Sequence, residues 1–410
     1  MTYVQKHHGT DNVVIVFDGY SDAPSTKGVE QNRRAMKSQS TEILFTDDMP
    51  ITIHQERFLT NGKNKARFIQ GLTGHLELAG IQVKHAVADA DTLIVRTAIK
   101  MATNNTVAVV GTDVDLLILL IQLSKQDSKL YLYKPGAGKC PDKVFSISFI
   151  QQHLSEASST LLFLHAMTGC DTTSALYRQG KRKAFNLLQK NHELQGHVVK
   201  VFNDPTSSPD SVSSVGEQFL LALYGAPKTT TSLNVHRHKQ FMKAVANCPV
   251  QNKIQLAALP PTSAAAREHS FRVYHQVQQW LGVELPPTEW GWELINGQLQ
   301  PVLTRQPPAP EKLLSLISCS CKSGCERSCG CKKSGLFCTI LCGHCHGNGC
   351  SNSENPVISV SETDGEHDFD AKGSNEFNSD SLVLTNETFD FQMADEDLAV
   401  EDNFDECDFI

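Results

Sequence analysis

Nine cysteines fall within positions 319 to 350 with the spacing C-x-C-x3-C-x3-C-x-C-x6-C-x3-C-x2-C-x4-C: Cys319, Cys321, Cys325, Cys329, Cys331, Cys338, Cys342, Cys345 and Cys350. Thiolates are soft ligands that select zinc. Three tetrahedral Zn2+ ions need about twelve sulfur positions, which nine cysteines supply when three of them bridge. The stretch is Gly- and Ser-rich and too short to bury a core, so bound metal is expected to supply its folding energy. The other four cysteines, Cys140, Cys170, Cys248 and Cys407, are scattered and make no disulfide framework, in keeping with a reducing compartment.

A second group of residues is acidic. Asp18 stands in VFDGY, Asp89 and Asp91 in ADADT, Asp113 and Asp115 in GTDVDLL, and Asp171 in TGCDTTS. Carboxylates at the strand ends of a parallel sheet converge on the crevice where such folds bind ligands. Clustered carboxylates suit a hard cation, Mg2+ or Mn2+. Two such ions roughly 3.5 to 4 Å apart can activate water and steady the leaving oxygen of a phosphodiester. Each aspartate also has a plainer use. Asp113 and Asp115 fit a turn, Asp171 fits a helix N-cap, and Asp89 with Asp91 favours a helix start through the macrodipole.

The elements that must position these groups alternate over the first 190 residues, as expected of an α/β layer fold. Strand candidates are VVIVF from Val13, IQVKHA from Ile81, TVAVVG from Thr106 and KLYLY from Lys129, in a largely parallel sheet. Between them, 65–79 and 91–101 carry apolar residues at helical spacing. From Ser158 helical text follows as SSTLLFLHAMTG, TTSALY and KRKAFNLLQK, with Gly169 and Gly180 as breaks. Further helices are expected at 215–224, at 236–246 and from Ala264, with 203–213 as a loop. The expected organisation is an α/β domain over 1–190, a helical extension over 191–300, a Pro-rich linker over 301–318, the cysteine module over 319–350 and an acidic disordered tail over 351–410.

The order of the acidic motifs resembles the flap endonuclease group of PIN-like nucleases across about residues 10–190. In that group a strand ends in VFDG, basic residues follow, a Gly-Ile strand precedes a paired acidic helix start, a DxD follows a strand, and G-x-D opens a DNA-binding helical hairpin. The resemblance implies a PIN-like parallel sheet flanked by helices, with Asp18, Asp89, Asp91, Asp113, Asp115 and Asp171 as ligands of Mg2+ or Mn2+. It implies that Lys27, Arg33 and Arg34 face the scissile phosphate, and that Gly180, Lys181, Arg182 and Lys183 hold a phosphate strand. Three departures stand beside it. The family's first metal strand, upstream of VFDG, has no counterpart in the residues before Val13. Aspartates at 89 and 91 replace glutamates, and the hairpin turn has one glycine, Gly180, where two are usual. The implied activity is structure-selective cleavage of branched or single-stranded DNA. The alternative is a catalytically inactive DNA-binding or scaffold protein of mobile-element origin.

The cysteine spacing resembles a Tesmin/TSO1-like CXC domain, which implies a three-zinc cluster. That family inserts a tyrosine into the minor groove, whereas here Glu326, Arg327 and Ser328 occupy the interval. Phosphate contacts from Lys322, Arg327, Lys332 and Lys333 would give salt-sensitive binding. A metallothionein-like store and a RING-type module remain as other uses, although CxC pairs are too tight for alternating RING ligands. His344 and His346 are either spare ligands or exposed bystanders.

The formal net charge of −8 is uneven. Residues 351–410 carry 18 acidic residues and one lysine, Lys372, a balance of −17 that leaves +9 for residues 1–350. A basic body is compatible with a polyanionic partner. The tail's acidic-hydrophobic text fits either a solvating segment or a docking segment for a protein partner or for the chain's own basic face. No apolar run reaches the roughly 20 residues of a membrane helix, and MTYVQKHHGTDN lacks a signal-peptide core. The expected address is the nucleus or cytoplasm, with no membrane partner.

Overall fold

The structure, a computed structural model, describes residues 12–19, 24–29, 41–46, 48–50, 52–87, 89–136, 140–246, 256–306, 318–322, 324–326, 329–333, 336–339, 342–347 and 350–353. The acidic tail beyond 353, Arg33, Arg34 and Arg327 lie outside these residues. The chain divides into two compact units, one running to Leu303 and one beginning at Thr304, and each is described by itself.

The first unit is mixed α/β. Strand β1 (Val14–Phe17) is followed by a helical turn at 26–29, an irregular segment at 41–46 and helices α1 (Gln55–Thr60) and α2 (Gly62–Leu78). Asn61 starts α2 by accepting hydrogen bonds from the Lys63 and Asn64 N–H groups, satisfying donors that the first turn leaves open. The wholly buried Asn64 then ties the preceding segment down: its side chain accepts from the Ile43 N–H at 2.7 Å and donates to the Thr41 and Phe58 carbonyls. Strand β2 (Gln82–His85) returns parallel to β1, in the register Val14↔Gln82 to Phe17↔His85.

Helix α3 (Ala90–Met101) follows, then β3 (Val107–Val110), α4 (Val114–Leu123), β4 (Leu130–Lys134) and β5 (Lys143–Ser146). Strands β3 and β4 pair in parallel, and β5 closes antiparallel on β4. The parallel pairs therefore sit in two sheets, β1-β2 and β3-β4-β5, rather than in one. Among the described residues no strand joins β1 to β3, and α3 packs against both. Among the described residues each of these two strands pairs along one side only. Among the described residues a single PIN-like parallel sheet is not shown, although each expected apolar run is a strand.

Helices α5 (Ile147–Leu154) and α6 (Leu161–Thr168) carry the chain into the larger core. All eight residues of α6 are buried, so an amphipathic stripe is absent from its sequence, as befits a helix enclosed on every side. Gly169 ends it at φ +116°, a conformation L side chains rarely adopt, and an added Cβ would sit 2.7 Å from Ala175 Cα. The expected helix over TTSALY does not form. Thr173 instead bridges back to Cys170 and donates its hydroxyl to the Ala166 carbonyl at 2.6 Å, so local side-chain bonds replace the helical ladder.

Helices α7 (Lys181–Lys190), α8 (His192–Phe202), α9 (Pro209–Leu223), α10 (Leu233–Ala246) and α11 (Ser263–Leu281) complete the helical side. Residues on both sides of position 190 share one core, from Val95 and Leu120 through Phe163, Phe202 and Phe219 to Tyr274 and Trp290. Helix α9 starts inside the expected loop because Ser208 caps it and Pro209 opens it. A hairpin of β6 (Trp292–Ile295) and β7 (Gln298–Pro301) follows, turned by Asn296 and Gly297, both at positive φ. Arg272 of α11, buried, anchors this hairpin by donating to the Gly291 and Val302 carbonyls. None of the described helices is long and apolar enough to cross a membrane.

Candidate metal centres

The acidic residues reach one region of the first unit from the ends of β1 and β3, the starts of α3 and α4, and the turn after α6. Asp18 follows β1, Asp89 sits at the N-cap of α3 with Asp91 in its first turn, and Asp113 caps α4 with Asp115 in its first turn. Asp171 lies in the Cys170–Thr173 turn. They do not form one uniform cluster. Carboxylate oxygens of Asp91, Asp113 and Asp115 all lie within 4.8 Å of one another. Asp18 and Asp89 stand outside that triad and share Lys27, whose Nζ donates to Asp18 Oδ1 at 3.1 Å and to Asp89 Oδ1.

Asp18 carries more than the lysine. Its Oδ1 accepts the Ala90 N–H at 3.2 Å, satisfying a donor at the start of α3, while Lys65 Nζ lies 3.8 Å from Oδ2. Asp113 likewise caps α4 by accepting the Asp115 N–H at 3.1 Å. Asp113 therefore caps a helix as well as belonging to the triad, whereas Asp89, at the N-cap of α3, makes no side-chain cap bond.

Crowding sets the protonation of the triad. Burial, reinforced by the Asp89 carboxylate, raises the Asp91 pKa to about 7. Burial also raises that of Asp113, against the stabilising Asp115 N–H. For Asp115 burial works in the same direction, but the hydrogen bond and charge of His165, with Lys181, bring its pKa below the usual value. Burial alone would lower the Lys27 pKa; the Asp89 and Asp18 carboxylates reverse this and raise it.

His165 is the site residue that sequence patterns did not disclose. It is 4% exposed, places Nε2 2.6 Å from Asp115 Oδ1, and leaves Nδ1 without a partner. Its ring stacks on Trp280 with centroids 5.6 Å apart. Trp280, Gln276 and Gln279, all from α11, line the same cleft as Lys27, Asp89, Asp91, Asp115 and Asp171. Thr172 donates to Gln276, joining the Asp171 turn to that helix. The only sequence signal for His165 was a lone polar ring inside LLFLHAMTG, and although a helix was expected from Ala264, nothing local marked α11 as lining the site.

The basic residues expected to meet phosphate divide. Lys181 points inward, donating to the Gly169 carbonyl at 2.9 Å, with its pKa lowered by burial although Asp115 opposes this. Arg182 and Lys183 are exposed on α7, which starts after Gly180.

In the second unit Cys319, Cys325, Cys329, Cys331, Cys338 and Cys342 are buried, with Cys321, Cys345 and Cys350 packed against them. None forms a disulfide. Sulfur separations run from 3.6 Å (Cys331–Cys342) and 3.7 Å (Cys319–Cys325) to 3.9 Å (Cys319–Cys338). A tetrahedral site with metal–sulfur bonds of about 2.3 Å has edges of about 3.8 Å, so the cluster can hold metal. Four overlapping sets of four cysteines converge, Cys319 and Cys338 each belonging to three of them. Cys342 Sγ accepts the Cys319 and Thr339 N–H groups at 3.4 Å each. Burial alone would raise the pKa of this thiol, and those donors outweigh it and hold it at about 6. His344 and His346 are exposed and belong to none of these sets. Lys322, Lys332 and Lys333 are exposed around the cluster, the last two on the single helical turn α12 (Gly330–Lys333). Neither a protein-family model nor a curated protein matches this sequence.

Proposed function

We propose that the first unit is a PIN-like nuclease-type domain that hydrolyses DNA phosphodiesters with Mg2+ or Mn2+, and that the second is a CXC-like zinc module of about three Zn2+ ions adding affinity for the same DNA. The observation that carries this reading is the convergence of Asp91, Asp113 and Asp115 within 4.8 Å from two helix starts. Three carboxylates so placed repel one another without a cation, and a hard dication is the ligand that relieves them. The ion would lower the pKa of a bound water and polarise a phosphoryl oxygen. Asp91, Asp113 and Asp115 would hold it, while His165 orients Asp115 from behind. Lys27 lines the same cleft and supplies positive charge toward a phosphate.

A second reading, a nucleic-acid binder without cleavage, is favoured by one observation: Lys27 already bridges Asp18 and Asp89. The two readings part on a cleavage assay. The full-length, zinc-loaded protein is incubated with flap, branched and single-stranded DNA in Mg2+ or Mn2+. Cleavage that disappears in Asp113→Asn supports the nuclease; salt-dependent binding that is indifferent to Mg2+ and to this substitution supports the binder. The nuclear or cytoplasmic address and a protein partner for the acidic tail accompany either reading.

A further inference from the structure

We propose that Lys27 is a built-in substitute for a second metal ion, so that the acidic site takes one divalent cation, on Asp91, Asp113 and Asp115, and none on Asp18 and Asp89. The proposal rests on the metal-dependent reading above and narrows it. Its starting point is that both oxygens of Asp18 are already met by positive groups. Lys27 Nζ and the Ala90 N–H reach Oδ1 at 3.1 and 3.2 Å, and Lys65 Nζ lies 3.8 Å from Oδ2. Asp89 gives its Oδ1 to the same ammonium. The side chains of Lys27, Asp18 and Asp89 are 18%, 26% and 22% exposed, so water screens the triplet only in part.

A dication between Asp18 and Asp89 would have to displace the ammonium or accept it at contact distance, and like charges so close in a partly buried site repel strongly. Of the two aspartates at the start of α3, Asp89 thus meets the ammonium while Asp91 belongs to the triad. Among the described residues no lysine is hydrogen-bonded to the triad, although the charges of Lys27 and Lys181 reach Asp91 and Asp115. Among the described residues a close side-chain partner of the triad is His165, buried, with Nε2 on Asp115 and an unpartnered Nδ1. That arrangement fixes one carboxylate and leaves the triad's remaining negative charge for an ion. A phosphodiester bound to that ion would meet Lys27 as the second positive charge at the cleft wall.

The test counts ions. The full-length chain, loaded with Zn2+ in its cysteine module, is titrated with Mn2+ alone, and free Mn2+ is followed by electron paramagnetic resonance. Zinc thiolate sites resist exchange by Mn2+ because Mn2+ stands at the weak end of the divalent series. One Mn2+ per chain is expected, weakened at least tenfold in Asp113→Asn and within about twofold of wild type in Asp18→Asn. Lys27→Met is expected to bind two, the added ion being weaker. Two ions in the wild type, a tenfold loss in Asp18→Asn, or a single ion in a folded Lys27→Met would each overturn the proposal. No Mn2+ at all in the wild type would overturn the metal-dependent reading itself, which separates the two failures.

Discussion

Asp91 stays protonated up to about pH 7 because it is largely enclosed and faces Asp89, and the consequence for stability has a definite sign. Its folded pKa lies above the ordinary 3.8, so its contribution to metal-free stability is complete below about pH 4 and is lost as the pH rises through about 7. Asp91→Asn, neutral throughout, is expected to melt a few degrees above the metal-free wild type at pH 8, with a smaller gain at pH 5. With Mn2+ present the order should reverse, since only the wild type gains binding free energy. Calorimetry at the two pH values, with and without Mn2+, checks both halves. His165 gives a second expectation. Its removal leaves Asp115 unsupported, so His165→Ala should weaken Mn2+ about tenfold while the far-ultraviolet circular dichroism is retained. An unchanged affinity would show that His165 merely fills the core.

At the scale of elements, the chain break after α6 is where backbone geometry and site meet. Gly169 at φ +116° and its close approach to Ala175 place the Asp171 turn. Gly169→Ala should therefore destabilise the first unit by about 2 kcal/mol, readable as a lower urea midpoint at unchanged slope. The apolar runs were legible as strands because a sheet buries short continuous stretches of Val, Ile and Leu whatever the partner. The sheet's division into two was not, because which edges pair depends on segments distant in sequence. The β6-β7 hairpin had a readable signal in Asn296-Gly297, flanked by Leu294-Ile295 and Gln298-Leu299, whose positive φ angles suit a tight turn. TTSALY misled because its pattern is helical while Thr173 prefers the Ala166 carbonyl, a contact that exists only after α6 is placed.

At the scale of the whole molecule, the two units depend on different forces. The first has a large apolar core that includes Phe163, Phe219 and Tyr274, whereas the second buries little besides cysteine. A strong zinc chelator should abolish the structure of the second unit and leave the thermal transition of the first within about 2 °C, because metal binding is folding energy only where no core exists. Loss of both transitions together would contradict this. For DNA, replacing Lys322, Lys332 and Lys333 by alanine should reduce the slope of log affinity against log salt by about 2 to 3, near one per lost phosphate contact. An unchanged slope would remove the zinc module from the proposed interface.

The cysteine cluster was decided within some thirty residues of sequence, since ligand spacing is local and sulfur has few other uses at that density. The acidic residues could also be listed from sequence, because strand ends and helix starts are marked by nearby apolar runs. Their division of labour could not. Whether Asp18 meets an ammonium or a metal depends on where Lys27 and Lys65 arrive, and His165 becomes a site residue only because α6 is buried beneath α4 and α11. Trp280 and Gln276 reach the cleft from more than a hundred residues beyond Asp171. Such contacts arise from packing between distant segments, and no periodicity or motif within one segment encodes them.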